Sequence, residues 1–264
     1  MAFKVLCIGD VVGKLGRRGI KELVPKLRKD RKIDLVIGNI ENLAHGKGVT
    51  EKTFMEIHDS GIDVYTSGNH IWKQKEGVSL LSSKEYTILR PANYPEGVPG
   101  VGAAVVTVKG KKVLVINLIG RVFMKDNFDD PFRAYDRLVK EAKTVHAIIV
   151  DFHAEASSEK KAFGYYVSGR ASLVVGTHTH IPTADAQTLG ERGTGYVTDL
   201  GMVGAKNSVL GVRKEEIIEG FLTQVPVKHT MVEAGEIVFN SIQAEIEGKQ
   251  CLHIERVDRV VDED

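Results

Sequence analysis

Val5-Leu6-Cys7-Ile8-Gly9-Asp10 decides how the rest of the chain is read: four apolar residues suited to a buried strand, then a glycine and a carboxylate. The pattern recurs down the chain. Leu35-Val36-Ile37 runs into Gly38-Asn39-Ile40-Glu41-Asn42, and Val64-Tyr65-Thr66 into Ser67-Gly68-Asn69-His70. Ala147-Ile148-Ile149-Val150 runs into Asp151-Phe152-His153, and Leu173-Val174-Val175 into Gly176-Thr177-His178-Thr179-His180. Short, continuously apolar runs are typical of strands buried on both faces, as in parallel sheets. Helical patterns separate the first of them. Ile20, Leu23, Val24 and Leu27 share a face over about residues 18–28, where Pro25 is expected to kink or shorten the helix. A second helix is expected from about Thr50, as N-cap, to His58. The alternation predicts an α/β fold.

In open α/β sheets, ligands bind beyond the carboxyl ends of the strands. Parallel strands would therefore bring the polar clusters to one edge: Asp10, Glu41, Asn42, Asn69, His70, His153, His178 and His180. Oxygen and imidazole donors without thiolate suit iron, manganese, zinc or nickel better than calcium or magnesium. A carboxylate can bridge two cations, and a pair about 3.5–4 Å apart suits in-line phosphoryl displacement. His178 and His180, if extended, point to one side roughly 7 Å apart, so one imidazole could serve each metal. Taken singly, each cluster has an ordinary reading as a turn, a helix cap or a solvated loop; recurrence at equivalent strand ends is what argues for a site. His58, His146, His229 and His253 read as surface or structural, and His45 in Ala44-His45-Gly46-Lys47-Gly48 is left open. Arg121, Arg133 and Arg170 could hold phosphate, but surface ion pairing is the simpler reading. Gly13-Lys14 lacks the rest of a P-loop.

Hairpins are expected from residues 103–108 and 113–116 around Lys109-Gly110-Lys111-Lys112, and from 236–246 and 251–257 around Gly248. Pro131 should open a helix to about Lys143. Strand–helix alternation followed by hairpins implies a mixed sheet or two packed sheets, within one domain spanning residues 1–264. The 264 residues are 42% hydrophobic with a net charge of +1, which gives no electrostatic footprint for stable nucleic-acid binding. Cys7 and Cys251 form no CxxC pair, consistent with a reduced compartment. Without a signal-peptide pattern or an apolar run of about 18 residues, the expectation is a soluble cytoplasmic protein with no membrane partner.

At these residues the chain resembles the calcineurin-like metallophosphoesterases. Gly9-Asp10, Gly68-Asn69-His70, His153 and His178-Thr179-His180 match their blocks. Gly9-Asp10-Val11-Val12-Gly13 lacks the usual histidine, Glu41-Asn42 stands for an aspartate, Ile71 follows His70 where an acidic residue is common, and Thr177 replaces a glycine. Those departures resemble the YmdB-like phosphodiesterase branch. The likeness extends to Arg90-Pro91-Ala92-Asn93, Gly120-Arg121-Val122-Phe123-Met124, Asp130-Pro131-Phe132-Arg133 and Asp151-Phe152-His153-Ala154-Glu155.

The resemblance implies a four-layer α/β/β/α sandwich and two metal ions, iron foremost with manganese or zinc as alternatives. The implied reaction is hydrolysis of small phosphodiesters, cyclic nucleotides including the 2′,3′ forms, by water acidified between the metals. Carried over by position, Asp10, Asn42 and His180 hold one metal, Asn69, His153 and His178 the other, Glu41 bridges them, and His70 donates a proton. An amide oxygen at Asn42 has lone pairs to replace the missing histidine. Two rivals stand beside this reading: another dinuclear metal hydrolase, such as an amidohydrolase barrel, and a non-enzymatic, metal-dependent nucleotide sensor. The amidohydrolase barrel would place its His-x-His near the first strand, whereas here it comes late. A homo-oligomer is left open.

Overall fold

Residues 2–262 are described by a computed structural model with three hydrogen-bonded sheets. The first sheet sets β1 (Phe3–Ile8), β3 (Leu35–Asn39) and β4 (Val64–Thr66) parallel, and adds β13 (Ser241–Glu247) and β14 (Gln250–Arg256) antiparallel. In the second, β6 (Lys111–Ile119), β7 (Ala147–His153), β8 (Leu173–Thr177) and β10 (Thr194–Val197) run parallel, edged by β5 (Ala103–Val108) and β9 (Gln187–Leu189). A small third sheet joins β2 (Asp10–Val11), β11 (Met202–Ala205), β12 (Ile237–Phe239) and β15 (Arg259–Val261).

Successive side chains on a strand point to opposite faces, and that period organises the core. Phe3, Val5 and Cys7 of β1 join Val113 and Val115 of β6, Ile149 of β7 and Val175 of β8 in one cluster. The first two sheets therefore bury their inner faces against each other. Leu6 and Ile8 turn the other way, onto Ile20, Val24 and Leu27 of α1 (Gly13–Asp30) and Phe54 of α2 (Glu51–Met55). Leu81, ending α3 (Lys75–Leu81), joins that cluster. On the far side of the second sheet, Ile116, Ile148, Val150 and Val174 pack on Tyr135 of α4 (Pro131–Glu141) and Phe163 of α5 (Ser157–Tyr166). Each such buried side chain contributes about 1.5–3 kcal/mol. Strands buried on both faces are uniformly apolar for this reason.

Several expectations are revised. The polar clusters come from two sheets whose strand ends meet, not from one edge. Pro25 leaves α1 unbroken, and α1 begins at Gly13 rather than near Arg18. Thr50 caps α2 through a reciprocal bond pair with Thr53, but α2 ends at Met55, and His58–Ser60 forms a separate tight turn. The hairpin between β5 and β6 turns on Lys109-Gly110 alone, both at positive φ, the conformation of a two-residue hairpin turn. The expected strand over 236–246 is two strands in different sheets. Asn240 divides them, its Oδ1 accepting from Met202 N and its carbonyl from Gly9 N.

Candidate metal centre

The strand ends of the first two sheets deliver most of the site, and β2 of the third supplies Asp10. Asp10 begins β2, directly after β1. Glu41 and Asn42 follow β3, where Asn39 Oδ1 accepts from Glu41 N at 3.1 Å and shapes the turn. Asn69 and His70 follow β4, His153 ends β7, and His178 and His180 follow β8. All eight sequence-predicted residues belong to one connected group. His153 Nε2 lies 3.2 Å from Asn69 Oδ1, 3.3 Å from Glu41 Oε1 and 3.0 Å from His178 Nδ1. Donor atoms of Glu41, His153 and His178 lie within 4.8 Å of one another. Asp10 Oδ1 lies 3.8 Å from His180 Nε2 and 4.0 Å from His153 Nδ1. His70 Nδ1 is 2.7 Å from Asn42 Oδ1, and its backbone N–H donates to Glu41 Oε2 at 2.9 Å.

The spacing argument for the histidine pair needs correcting. His178 and His180 have φ of 102° and 64°, so the segment is coiled and not extended. They diverge: His178 faces His153, while His180 Nε2 sits 3.1 Å from Asn42 Nδ2. Gly68 shows how tight the pocket is, since a Cβ there would fall 2.2 Å from His153 Nε2 and 2.4 Å from Glu41 Oε2. Only glycine lets this backbone approach.

Asp10, Glu41 and His153 are at most 1% exposed. Burial raises the Asp10 carboxyl well above the usual carboxylate range, with the Glu41 charge adding to it and His153 only partly offsetting it. Burial also disfavours the Glu41 anion, but His153 and then His70 outweigh it and hold Glu41 below that range. For His153, burial opposes the charged form, yet Glu41, Asp10 and Asp151 keep it above an ordinary histidine. Burial and the neighbouring His153 push His178 down to about 3. Burial lowers His180 and His70 as well, Glu41 partly offsetting both.

These features fit a bound cation. Asp10 Oδ1 is buried without a hydrogen-bond partner, a costly state for a carboxylate oxygen. Two carboxylates, two amides and three imidazoles converge with few donors to satisfy them. Asn42 presents its nitrogen, not its oxygen, to Glu41 and His180; ligation through oxygen requires a half-turn of the amide, which exchanges the two ends.

Sequence reasoning missed the supporting groups. Thr177 Oγ1 donates to Asp151 Oδ1 at 2.7 Å and lies 3.0 Å from His153 Nδ1. A hydroxyl has one hydrogen, so with it given to Asp151, the Thr177 oxygen accepts from His153 Nδ1–H. That leaves His153 Nε2 as the nitrogen free to ligate, the arrangement that partners of metal-binding histidines enforce. Thr66 Oγ1 and Asn39 Nδ2 also donate to Asp151. Glu155 holds His178 Nε2 at 3.1 Å and leaves Nδ1 facing inward. Lys160, buried on α5, donates to Thr177 O at 2.8 Å and to Asp199 Oδ2 at 2.7 Å, while Asp199 accepts from Thr179 N. This ion pair braces the backbone around His178 and His180. Asp151 and Glu155 flank His153 in a stretch already singled out; nothing in the sequence marks Lys160 or Asp199.

Arg121 pairs with Asp130 and Arg170 with Asp136, in line with the surface reading. His146 Nε2 accepts from Gly248 N. His45 is exposed beside Arg213 and Lys228, on a cavity separate from the metal-ligand cluster. Among the described residues, no helix is long and apolar enough to cross a membrane.

A family model described as YmdB-like protein matches residues 6–257. The chain is 47% identical over 257 residues to a 2′,3′-cyclic-nucleotide 2′-phosphodiesterase of Bacillus subtilis (strain 168), covering 96% of each. Its fold superposes on the crystal structure of a phosphatase from Mycoplasma pneumoniae with a TM-score of 0.92, at 32% identity, covering 100% of this chain and 95% of that one. A 5′-nucleotidase precursor from Thermus thermophilus shares the fold at a TM-score of 0.61 and 14% identity, covering 99% of this chain and 55% of that one.

Proposed function

The chain belongs to the YmdB-like family, and on that premise we propose that it is a metal-dependent phosphodiesterase acting on cyclic nucleotides, the 2′,3′ forms first and the 3′,5′ forms second. The observation that carries the reading is the convergence of Glu41, Asn69 and His178 on His153 Nε2, with Asp10 beside His153 and one oxygen of that carboxylate buried without a hydrogen-bond partner. Asp10, Asn42 and His180 are assigned to one cation, Asn69, His153 and His178 to a second, and Glu41 to both. Iron is the first choice, with manganese and zinc compatible with the same donors. Bound cations supply Lewis-acid polarisation of the phosphoryl group and a more acidic water.

The chain's own residues supply orientation and proton handling. Thr177 and Asp151 fix the His153 ring, and Glu155 fixes His178. His70 is the proton donor to the leaving alkoxide; its ring is a quarter exposed, so it reaches the mouth of the site. The form that donates is the imidazolium, made a stronger acid by the burial that lowers its pKa; giving up the Nε2 proton returns a neutral ring that keeps its hydrogen on Nδ1, 3.4 Å from Glu41 Oε1. General acid catalysis of this kind contributes about 10²–10⁴-fold.

The test pairs metal analysis with turnover of 2′,3′- and 3′,5′-cyclic AMP before and after chelation. Restored hydrolysis on adding iron or manganese supports the proposal. Metal-replete protein that binds the nucleotide without hydrolysing it would replace it with the sensor reading.

A further inference from the structure

Three stretches of sequence that the metal centre leaves unused, around Asn93, residues 120–124 and Asp130, meet in one loop. β6 ends beside the centre, with Ile119 opposite His153 of β7, and Gly120 N donates to His153 O at 3.0 Å. The loop between β6 and α4 follows. The buried Asn93 clamps both its ends: Nδ2 donates to Ile119 O at 2.7 Å and to Asp129 O at 2.8 Å, and Oδ1 accepts from Ile119 N at 2.9 Å. Glu159 of α5 accepts from Arg121 N and Val122 N, and Arg121 pairs with Asp130. On the inner side Phe128 packs edge-on against Tyr94, ring centroids 4.9 Å apart, and Tyr94 against Trp72 at 5.5 Å, two residues beyond His70. Burial pushes the Tyr94 phenol up, and the charges of Asp126 in the loop and Glu41 in the metal centre both act on it. The loop is therefore fixed against the centre from two directions, by the His153 backbone and by a stack of rings leading to His70.

The tip of this firmly held loop is bare. Phe123 is 86% exposed and stands at a φ of 61°, in the third position of a turn closed by Met124 N on Arg121 O, where a type II turn favours glycine. A phenyl ring there gains no burial and strains the backbone, and such strain gathers where a ligand is held. We propose that Phe123 is the platform on which the nucleobase of a cyclic-nucleotide substrate stacks; this assignment rests on the phosphodiesterase activity proposed above. Three residues separate Phe123 from Gly120, so the two Cα atoms lie within about 11 Å. Since Gly120 is bonded to the His153 backbone, a base on the ring stands one nucleoside away from a phosphate at the metal centre. Stacking accepts any base, because each offers a π face. Arg121, Lys125 and Asp126 are exposed on the same loop, so the ring rises from a charged rim. That suits a small planar ligand, whereas a protein or lipid partner covers a broad apolar face.

The test compares hydrolysis of 2′,3′-cyclic AMP with that of the base-free methyl riboside 2,3-cyclic phosphate, by wild type, Phe123→Gly and Phe123→Tyr. Glycine removes the ring and suits the turn, so the fold should survive with an equal or higher Tm. Phe123→Gly should lose about 5–150-fold in kcat/KM on the cyclic nucleotide, chiefly through KM, and nothing on the base-free ester. Phe123→Tyr should match wild type on both. An equal loss on both esters, or a glycine variant that keeps the wild-type KM for cyclic AMP, would overturn the proposal. Metal-loaded wild type that hydrolyses neither ester would instead remove the phosphodiesterase reading, and the platform is then decided by binding alone. Etheno-adenosine 3′-phosphate, whose fluorescence is quenched by stacking, should be bound and quenched by wild type and Phe123→Tyr but not by Phe123→Gly; equal quenching by all three would overturn the platform without reference to catalysis.

Discussion

Thr177→Val should weaken metal binding while keeping the fold, and the structure sets how far. The substitution keeps the branched shape and removes only the hydroxyl, which is buried and engaged by three neighbours: Asp151 Oδ1 at 2.7 Å, His153 Nδ1 at 3.0 Å and Asn39 Nδ2 at 3.4 Å. Asp151 keeps Thr66 and Asn39 as donors. His153 Nδ1–H loses its acceptor; the next oxygen, Asp10 Oδ1, is 4.0 Å away. Stranding a buried donor costs about 1–3 kcal/mol and removing a bond to a carboxylate about 1.5–3 kcal/mol, so stability should fall by roughly 2.5–6 kcal/mol. For a chain of this size each kcal/mol lowers Tm by about 2–4 °C, giving a drop of roughly 5–24 °C. Losing the partner that orients a ligating histidine typically costs 10–100-fold in metal affinity. Calorimetric titration of apo protein with manganese, on wild type, Thr177→Val and Thr177→Ser, measures that directly. Nitrogen NMR of the His153 ring in the apo proteins reports the proton on Nδ1. Serine retains the hydroxyl and should restore affinity. A folded valine variant that binds metal like wild type, or a serine variant as weak as valine, would refute the role given to Thr177.

Further outcomes follow from the same site. His70→Ala should retain metal and lose about 10²–10⁴-fold in turnover; metal content and rate measured on one sample decide, and equal loss of both would make His70 a ligand. His153→Ala or Glu41→Ala should lose metal, and full stoichiometry in either would remove it from the essential set. Metal affinity should rise with pH, because Asp10 and His153 hold protons above their ordinary range and ligation requires them deprotonated. The gain should continue above pH ~6.5, where an unshifted histidine has already given up its proton; calorimetry in buffers of differing ionisation enthalpy should count protons released, and an affinity that is flat there would contradict the raised values. Lys160→Met should lower stability by about 3–5 kcal/mol because it leaves Asp199 as a buried charge without its ion-pair partner; a melting temperature like that of wild type would refute the bracing role given to this pair.

What the sequence made legible is what period and composition encode. Val5–Ile8, Leu35–Ile37 and Leu173–Val175 had to be buried strands because no polar residue interrupts them, and Asp10, Glu41, His153 and His178 were visible because chemistry-bearing residues stood at equivalent strand ends. Period does not say which strands share a sheet. That β1 and β7 belong to different sheets is decided by long-range pairing, so the site was read as one edge when it is a seam between two. Local conformation was hidden for a similar reason. His178 and His180 looked extended from their spacing, but Asp199 accepting from Thr179 N, and Lys160 held on Thr177 O, fix a coiled path.

The seam explains why so much of the site's support is invisible in sequence. Groups that join two sheets must bond across the interface, and they do so far apart in the chain: Thr66 and Asn39 of the first sheet donate to Asp151 of the second, and Ser67 N donates to Asn117 Oδ1. Each looks like an ordinary strand residue. Together they fix the spacing of two half-sites, and the positions of the predicted ligands depend on that spacing. Loss of Asp151 should therefore disturb both halves at once: His153 through Thr177, and the Glu41 and Asn69 turns through Asn39 and Thr66. On the proposed two-cation assignment, the result should be loss of both metals together, where loss of His180 alone weakens one. A stoichiometry of one metal per chain in Asp151→Asn would separate the two halves and deny the seam this role.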